Sequence, residues 1–151
     1  MIAKVFGKFA ANALGGETAG ESSKVDWLSD TIKVALFTDA HAPDQDVDEF
    51  YDGAHGMTEC AATGEYVTGG FAITNKTMAY DVGTNKVTLD GDPISVASST
   101  ITARYALIYD DTPASNKPLI AYLDFEEDKV SVSGTFPITW AGTGIVTLTA
   151  A

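Results

Sequence analysis

Residues 101–111 read ITARYALIYDD, and this stretch decides the fold. Ile101, Ala103, Tyr105, Leu107 and Tyr109 alternate with Thr102, Arg104, Ala106 and Ile108, and Asp110-Asp111 closes the run. A period of two is the mark of a strand. Apolar residues stand in both alternating sets, so the strand is expected at the centre of a sheet, covered on both sides.

The next strongest signal lies upstream, in DWLSDTIKVALFTDAHAPDQDVDEFYD at residues 26–52. Ile32, Val34 and Leu36 fall on one face of a strand and Lys33, Ala35 and Phe37 on the other, with Asp39, Pro43 and Asp44 as turn formers. An acidic run follows: Asp39, Asp44, Asp46, Asp48, Glu49 and Asp52. Further short strands are expected at Tyr66-Val67, Phe71–Thr74, Thr77–Asp81, Lys86–Asp90, Ile94–Val96, Leu119–Phe125, Val130–Val132, Phe136–Trp140 and Ile145–Thr149. Val82-Gly83-Thr84-Asn85 makes a hairpin turn between two of them. Threonines at 74, 77, 88, 102, 147 and 149 fit strand faces that are half wet. With no alternation of strands and helices, the expected class is mainly β, an antiparallel sandwich or barrel of about eight to nine short strands.

One helix is expected, at the N-terminus. Ile2, Val5, Phe6, Phe9, Ala10, Ala13 and Leu14 recur at three- and four-residue steps, Lys4 and Lys8 lie off that stripe, and Gly15-Gly16 stops it. So short a helix is marginal alone and must dock, either on its own domain or on a neighbouring subunit. For the second case Ile2, Val5, Phe6, Phe9 and Leu14 are the candidate interface residues. GGETAGESSK at residues 15–24 reads as a flexible linker, giving an arm and linker over 1–24 and a β domain over 25–151. Lys8 interrupts the apolar stretch before Ala11-Asn12-Ala13, so cleavage as a secretory signal is not expected.

The chain has 151 residues, 45% hydrophobic and 20% charged, which suits one globular domain. A net charge of −12 repels phosphate backbones, so no nucleic-acid partner is expected. No apolar run reaches the ~20 residues that span a bilayer, and no membrane partner is expected. The single cysteine, Cys60, stands apart from any CxxC pattern and reads as a buried small side chain. Trp27 and Trp140 read as core anchors.

The acidic run invites a chemical reading. Asp44, Asp46 and Asp48 open like a calcium loop, but Glu49 stands where such a loop needs glycine and His55 where it needs a bidentate glutamate. The remaining readings are a looser oxygen-liganded calcium site and a solvated connector with Asp46 capping a short turn. His41, His55, Glu59 and Cys60 lack the paired spacing of structural zinc. Neither histidine has an evident partner for base catalysis, no nucleophile or phosphate-loop motif is present, and Glu126-Glu127-Asp128 reads as solvated acids. No catalytic residue, no cofactor-binding residue and no metal ligand is therefore assigned.

Residues 30–52, DTIKVALFTDAHAPDQDVDEFYD, resemble a pattern of small tailed-bacteriophage structural proteins, in which a KVAL strand is followed by PDQD and an acid–aromatic segment. ECAATGEYVTGGFAI (59–73), STITARYALIYDD (99–111), PLIAYLDF (118–125) and GTFPITWAGTGIVTLT (134–149) follow in the same order, so the resemblance covers nearly all of 25–149. It implies a virion component without enzymatic role: a capsid decoration, or cement, protein that stabilises the assembled head. The implied partners are the major capsid protein or other virion proteins and sister subunits, with a trimer favoured. Made in the host cytoplasm, it would reside on the capsid surface of the virion. The alternatives are a tail or baseplate component, acting as adaptor or receptor-facing module, and a small ligand- or carbohydrate-binding β module.

Overall fold

The structure, a computed structural model, describes residues 1–14, 24–51 and 56–149. In chain order these residues form β1 (Ile2–Val5), α1 (Phe9–Leu14), β2 (Ile32–Phe37), β3 (Phe71–Ala72), β4 (Thr77–Asp81), β5 (Lys86–Asp90), β6 (Ile94–Asp110), β7 (Leu119–Ile138) and β8 (Val146–Thr149). The eight strands make two antiparallel sheets, a five-stranded one in the order β1-β7-β6-β2-β3 and a three-stranded one in the order β4-β5-β8. Neither closes into a barrel. The mainly β class expected from the sequence is what the chain adopts.

The main core lies on one face of the large sheet. Ile32, Val34 and Leu36 of β2 and Ala106 and Ile108 of β6 meet Leu89 and Val146 of the small sheet there, along with Val96, Phe136 and Ile138. Trp27 is buried among them, and its indole N–H donates to the Asp90 carbonyl at 3.3 Å. Trp140 packs against this core and donates to the Asp92 carbonyl at 2.8 Å. A second apolar cluster covers part of the opposite face of the large sheet, built from Phe6, Ala35, Phe37, Tyr105, Leu107, Tyr109, Leu119 and Tyr122.

β6 is central, as expected, but its side chains do not keep one phase. Ile101 and Ala103 face the main core, and so do Ala106 and Ile108, whereas Tyr105, Leu107 and Tyr109 face the second cluster. The switch falls at Arg104. Ala103 is opposite Lys129 and Tyr105 is opposite Asp124, so one residue of β6 faces the four residues Phe125–Asp128 of β7. This is a bulge, and it reverses which face each later residue takes. The guanidinium of Arg104 holds Asp124 at 2.9 Å beside the bulge, and Glu126 takes a left-handed φ of 69° within it.

Such bulges also explain why segments read separately are continuous. Ile94–Val96 and Ile101–Tyr109 join through Ser98, at φ 52°, and the three expected strands between Leu119 and Trp140 join into β7 through Glu126 and Ser133, at φ 46°. Polar interruptions that resemble loops are bends in one long ladder. Tyr66 makes only an isolated bridge with Thr63. The β4–β5 hairpin stands as expected, its turn held by Asp81, which accepts from the Gly83 N–H and the Thr84 hydroxyl at 2.8 Å each.

The N-terminal helix is shorter than expected. Ile2–Val5 is instead a strand paired with Ala121–Asp124 of β7, and only Phe9–Leu14 is helical. Apolar residues at 2, 5, 6 and 9 fit either reading, and the unpaired edge of β7 satisfies a backbone that an isolated helix holds only marginally. Phe6 continues the pairing by donating to the Ile120 carbonyl at 3.1 Å, and Phe9 N–H turns back to the Phe6 carbonyl. Residues 15–23 of the expected linker lie outside the described residues.

Phe6 is 1% exposed and Leu14 is 87% exposed. Truncating Phe6 to alanine is therefore expected to cost about 3–5 kcal/mol in urea unfolding, and Leu14→Ala within about 0.5 kcal/mol of zero. Equal effects would contradict the placement of the arm.

Candidate functional site

The most elaborate polar arrangement is built on Glu59, which follows the acidic loop. Glu59 bridges to Phe37 at the end of β2, so its side chain lies over the second apolar cluster. One carboxylate oxygen accepts from the Tyr66 hydroxyl at 2.8 Å and the Gly69 N–H at 2.8 Å, and the other from the Tyr51 hydroxyl at 2.5 Å. The Tyr66 hydroxyl in turn accepts from the buried Leu36 N–H at 2.8 Å. The Tyr51 ring stacks on Tyr109 at 4.0 Å, nearly parallel, and the Tyr109 hydroxyl donates to the Gly69 carbonyl at 2.8 Å. One carboxylate thus ties three segments of chain to β2 and β6.

Glycines make the approach possible. Gly70 has φ 71°, and a Cβ there would sit 1.8 Å from the Val34 carbonyl oxygen. Gly64 has φ 57°, and a Cβ would sit 2.0 Å from the Ser98 carbonyl oxygen. Neither position admits a side chain.

Chemically, the cluster is closed. Burial, above all, raises the pKa of Tyr51, Tyr66 and Tyr109, and Glu59 adds to it in each case, so the phenols stay protonated donors. Burial likewise pushes the Cys60 thiol up to about 11, far from the thiolate that nucleophilic chemistry needs. Glu59 has three donors on two oxygens and none of them is substrate. The arrangement fixes loops.

The acidic loop is part of the same cover. Asp39, Asp44 and Asp46 are exposed, but Asp48 is 1% exposed and Glu49 pairs with Lys8 at 2.5 Å. The capping residue is Asp44, two positions before the expected Asp46: its carboxylate accepts from the N–H groups of Asp46 and Val47, at 2.9 and 3.3 Å. Asp48 accepts from the Asp44 N–H at 2.7 Å. Backbone bonds from Leu119 to the Glu49 carbonyl and from Tyr51 to the Lys117 carbonyl, both 2.8 Å, fasten the loop to the start of β7. Gly7 N–H reaches the Gln45 carbonyl, and the Gln45 amide reaches the Val5 carbonyl at 2.7 Å. The loop is a packed strap between the N-terminal arm and the sheet, where the sequence reads as a solvated connector. Asp52 and His55 lie outside the described residues. Among the described residues, no three histidine, cysteine, aspartate or glutamate side chains come together as a metal-ion site.

The candidate interface residues divide. Phe6 and Phe9 are buried within the chain and cannot meet a partner, Val5 is half-buried, and Ile2 and Leu14 are exposed. Glu126-Glu127-Asp128 form the β7 side of the bulge, with Glu127 paired to Lys129 at 2.6 Å. Among the described residues, no helix is long and apolar enough to cross a membrane.

A second polar pair lies at the far end of β6. Asp110 is 1% exposed and its carboxylate accepts from the Thr112 N–H at 2.8 Å, with the Asp30 carboxyl beside it. Burial raises the pKa of Asp110; the Thr112 N–H and hydroxyl oppose this, and the neighbouring Asp30 raises it further. Asp111 next to it goes the other way: burial would raise it, but Lys117 and Lys33, at 2.6 and 2.5 Å, hold it low.

Sequence reading missed the Glu59 cluster because its members are spread between positions 51 and 109. A signal was present: Glu59, Gly64, Tyr66, Gly69 and Gly70 all stand within ECAATGEYVTGGFAI. Compared with known proteins, the chain matches no family model, no curated protein and no solved structure.

Three substitutions test this geometry. Tyr66→Phe leaves the buried Leu36 N–H without a partner and takes one of three donors from Glu59, a loss expected at about 1.5–3 kcal/mol in urea unfolding. Tyr51→Phe, at a half-buried hydroxyl, is expected to cost about 1 kcal/mol. For Asp110 the sign is reversed. Its folded pKa lies above the unfolded value, so the ionised form detracts from stability at neutral pH, and the protonated form adds stability as pH falls through the folded pKa. Asp110→Asn is expected to melt above the wild type at pH 7, with the gap closing toward pH 4; a gap independent of pH would refute the assignment.

Proposed function

We propose that this protein is a non-enzymatic structural component of a tailed-bacteriophage virion, a decoration protein that binds the assembled head. The observation that carries the reading is how the chain distributes its polar and apolar groups. Glu59, Tyr51, Tyr66, Asp48 and Asp110, the groups with most chemical potential, are engaged inside the fold. Large apolar side chains meanwhile stand outside it, on Met78, Tyr80, Val82, Val130 and Val132. An enzyme has the opposite distribution, with reactive groups converging on an open pocket. The ordered resemblance across residues 25–149 supplies the virion context.

The mechanism is thermodynamic linkage. A protein that binds the assembled, expanded shell and not its loose subunits stabilises the shell by mass action. The gain is about 2.7 kcal/mol per site when the free protein is a hundredfold above its Kd. Many sites act together, so a modest affinity suffices. A net charge of −12 keeps the free protein soluble and away from the phosphate backbone of packaged nucleic acid. The partners in this reading are the major capsid protein and sister subunits.

Copy number in purified virions, measured by quantitative gel against the major capsid protein, tests the assignment. Decoration requires copies on the order of hundreds per particle, because the shell repeats its binding site by symmetry. A few to a few dozen copies would place the protein in the tail or baseplate instead.

A further inference from the structure

β4 is unlike the other strands. Each of its five residues, Thr77 to Asp81, is exposed, and it forms the outer edge of the small sheet. Among the described residues, Thr77–Asp81 make no backbone hydrogen bond beyond the ladder with β5. Exposed edges are normally blunted by lysine, proline, bulges or brevity. Three other free edges here are treated in that way, while β8, the far edge of the small sheet, has no lysine or proline but is four residues long, with Val146 buried and Leu148 half-buried. β3 has two residues, and β1 carries Lys4 with Gln45 bonded to its Val5 carbonyl. The free part of β7 carries Lys129, Pro137 and left-handed kinks at Glu126 and Ser133. β4 has no lysine, no proline and no positive φ.

The face that ends at this edge is apolar. Met78 lies opposite Leu89 and Tyr80 opposite Val87, and these continue to Val146 and Leu148 of β8. Leu89 and Val146 are buried and Val87 and Leu148 half-buried, but Met78 and Tyr80 are 56% and 57% exposed. Beneath them runs an open cleft of about 260 Å³ walled by Phe9, Trp27, Met78, Val87, Leu89 and Leu148. Whatever covers this rim must satisfy the backbone of a strand and extend an apolar face, which is what another strand of the same kind does.

We infer that β4 pairs antiparallel with β4 of a second copy about a two-fold axis at Ala79, joining the two small sheets into one six-stranded sheet. The register is dictated by the faces. A two-fold perpendicular to the sheet keeps Met78 and Tyr80 on the same side in both copies, and centring it on Ala79 uses the whole strand. Met78 then meets Tyr80 of the second copy and the reverse, an aromatic–thioether contact made twice. On the other face each Asp81 falls opposite Thr77, and Asp81 keeps Lys86 of its own copy on its far side. No acid meets an acid directly across the new pair, which matters for chains carrying −12 each. Such an interface is isologous and closes at two copies. It concerns the free protein and does not rest on the virion reading.

The test uses the full chain. Sedimentation velocity is expected to show a monomer–dimer equilibrium across the micromolar range. Ala79→Cys is expected to give a covalent dimer under mild oxidation, because directly opposed Cα atoms lie about 4.5–5.5 Å apart, within the disulfide window. Thr147→Cys, exposed on β8 at the other edge of the small sheet, serves as the control and is expected to give no covalent dimer under the same oxidation. Ala79→Lys sets two lysines against each other on the axis while leaving the monomer's core untouched, and is expected to weaken the dimer at least tenfold. A wild-type protein that stays monomeric throughout, an Ala79→Cys that does not cross-link, or a folded Ala79→Lys that dimerises as tightly as wild type would each overturn the inference. If Ala79→Lys fails to fold, the cross-linking result decides.

Discussion

The structure turns on the bulge at Arg104. A strand offers two faces, and β6 has to line the main core along its whole length while the opposite face of the sheet is covered over only half of it. Before Arg104, exposed and buried residues alternate on either side of the kink at Ser98, with Ile94 and Val96 inward before it and Ile101 and Ala103 inward after it. After it, all six residues from Tyr105 to Asp110 are buried. Setting one residue of β6 against four of β7 re-phases the ladder at the boundary between the wet half and the dry half. Had the alternation run on unbroken, Tyr105, Leu107 and Tyr109 would have entered the main core and Ala106 and Ile108 would have faced outward.

Everything on the outer face follows from that reversal. Two tyrosines and a leucine standing on the outside of a sheet oblige the chain to cover them, and the cover is assembled from Phe6, the strap at 39–51 and the segment carrying Glu59. A cover made of loops has little regular hydrogen bonding of its own, so it must be tied down by side chains. Glu59 does this with both carboxylate oxygens, and Asp44, Asp48 and Gln45 do it within the strap. The density of acids there has a structural origin, since carboxylates accept several backbone N–H bonds at once.

This is also why the fold was more legible than the site. Alternation in ITARYALIYDD and IKVALF reports local geometry, and local geometry is enough to establish a mainly β chain with two strands buried on both sides. The bulge could not be read in the same way. Arg104, Ser98, Glu126 and Ser133 look like ordinary polar residues in a strand or loop, and only the register with a partner strand makes them bends. The N-terminal arm failed for a related reason: apolar residues at 2, 5, 6 and 9 suit a helix or an edge strand, and the free edge of β7 decided between them. The Glu59 cluster needed contacts between residues up to 58 positions apart, Tyr51 and Tyr109, although Gly64, Gly69 and Gly70 already marked a place where backbones come too close for a side chain.

An acidic surface and an unguarded edge strand belong together. A flat edge without lysine, proline or bulge invites indiscriminate pairing, and proteins that keep one need another safeguard. Here the safeguard is charge: at −12, copies repel one another at long range and collide seldom in arbitrary orientations. At physiological ionic strength that repulsion is screened beyond about 8 Å. What survives at contact is the match of faces and hydrogen-bonding groups, and β4 has a neutral centre at Ala79 flanked by Met78 and Tyr80. Non-specific association is thereby penalised while one strand remains free for one complementary strand. That combination is consistent with the decoration role proposed above, in which free protein at high concentration meets a repeating surface.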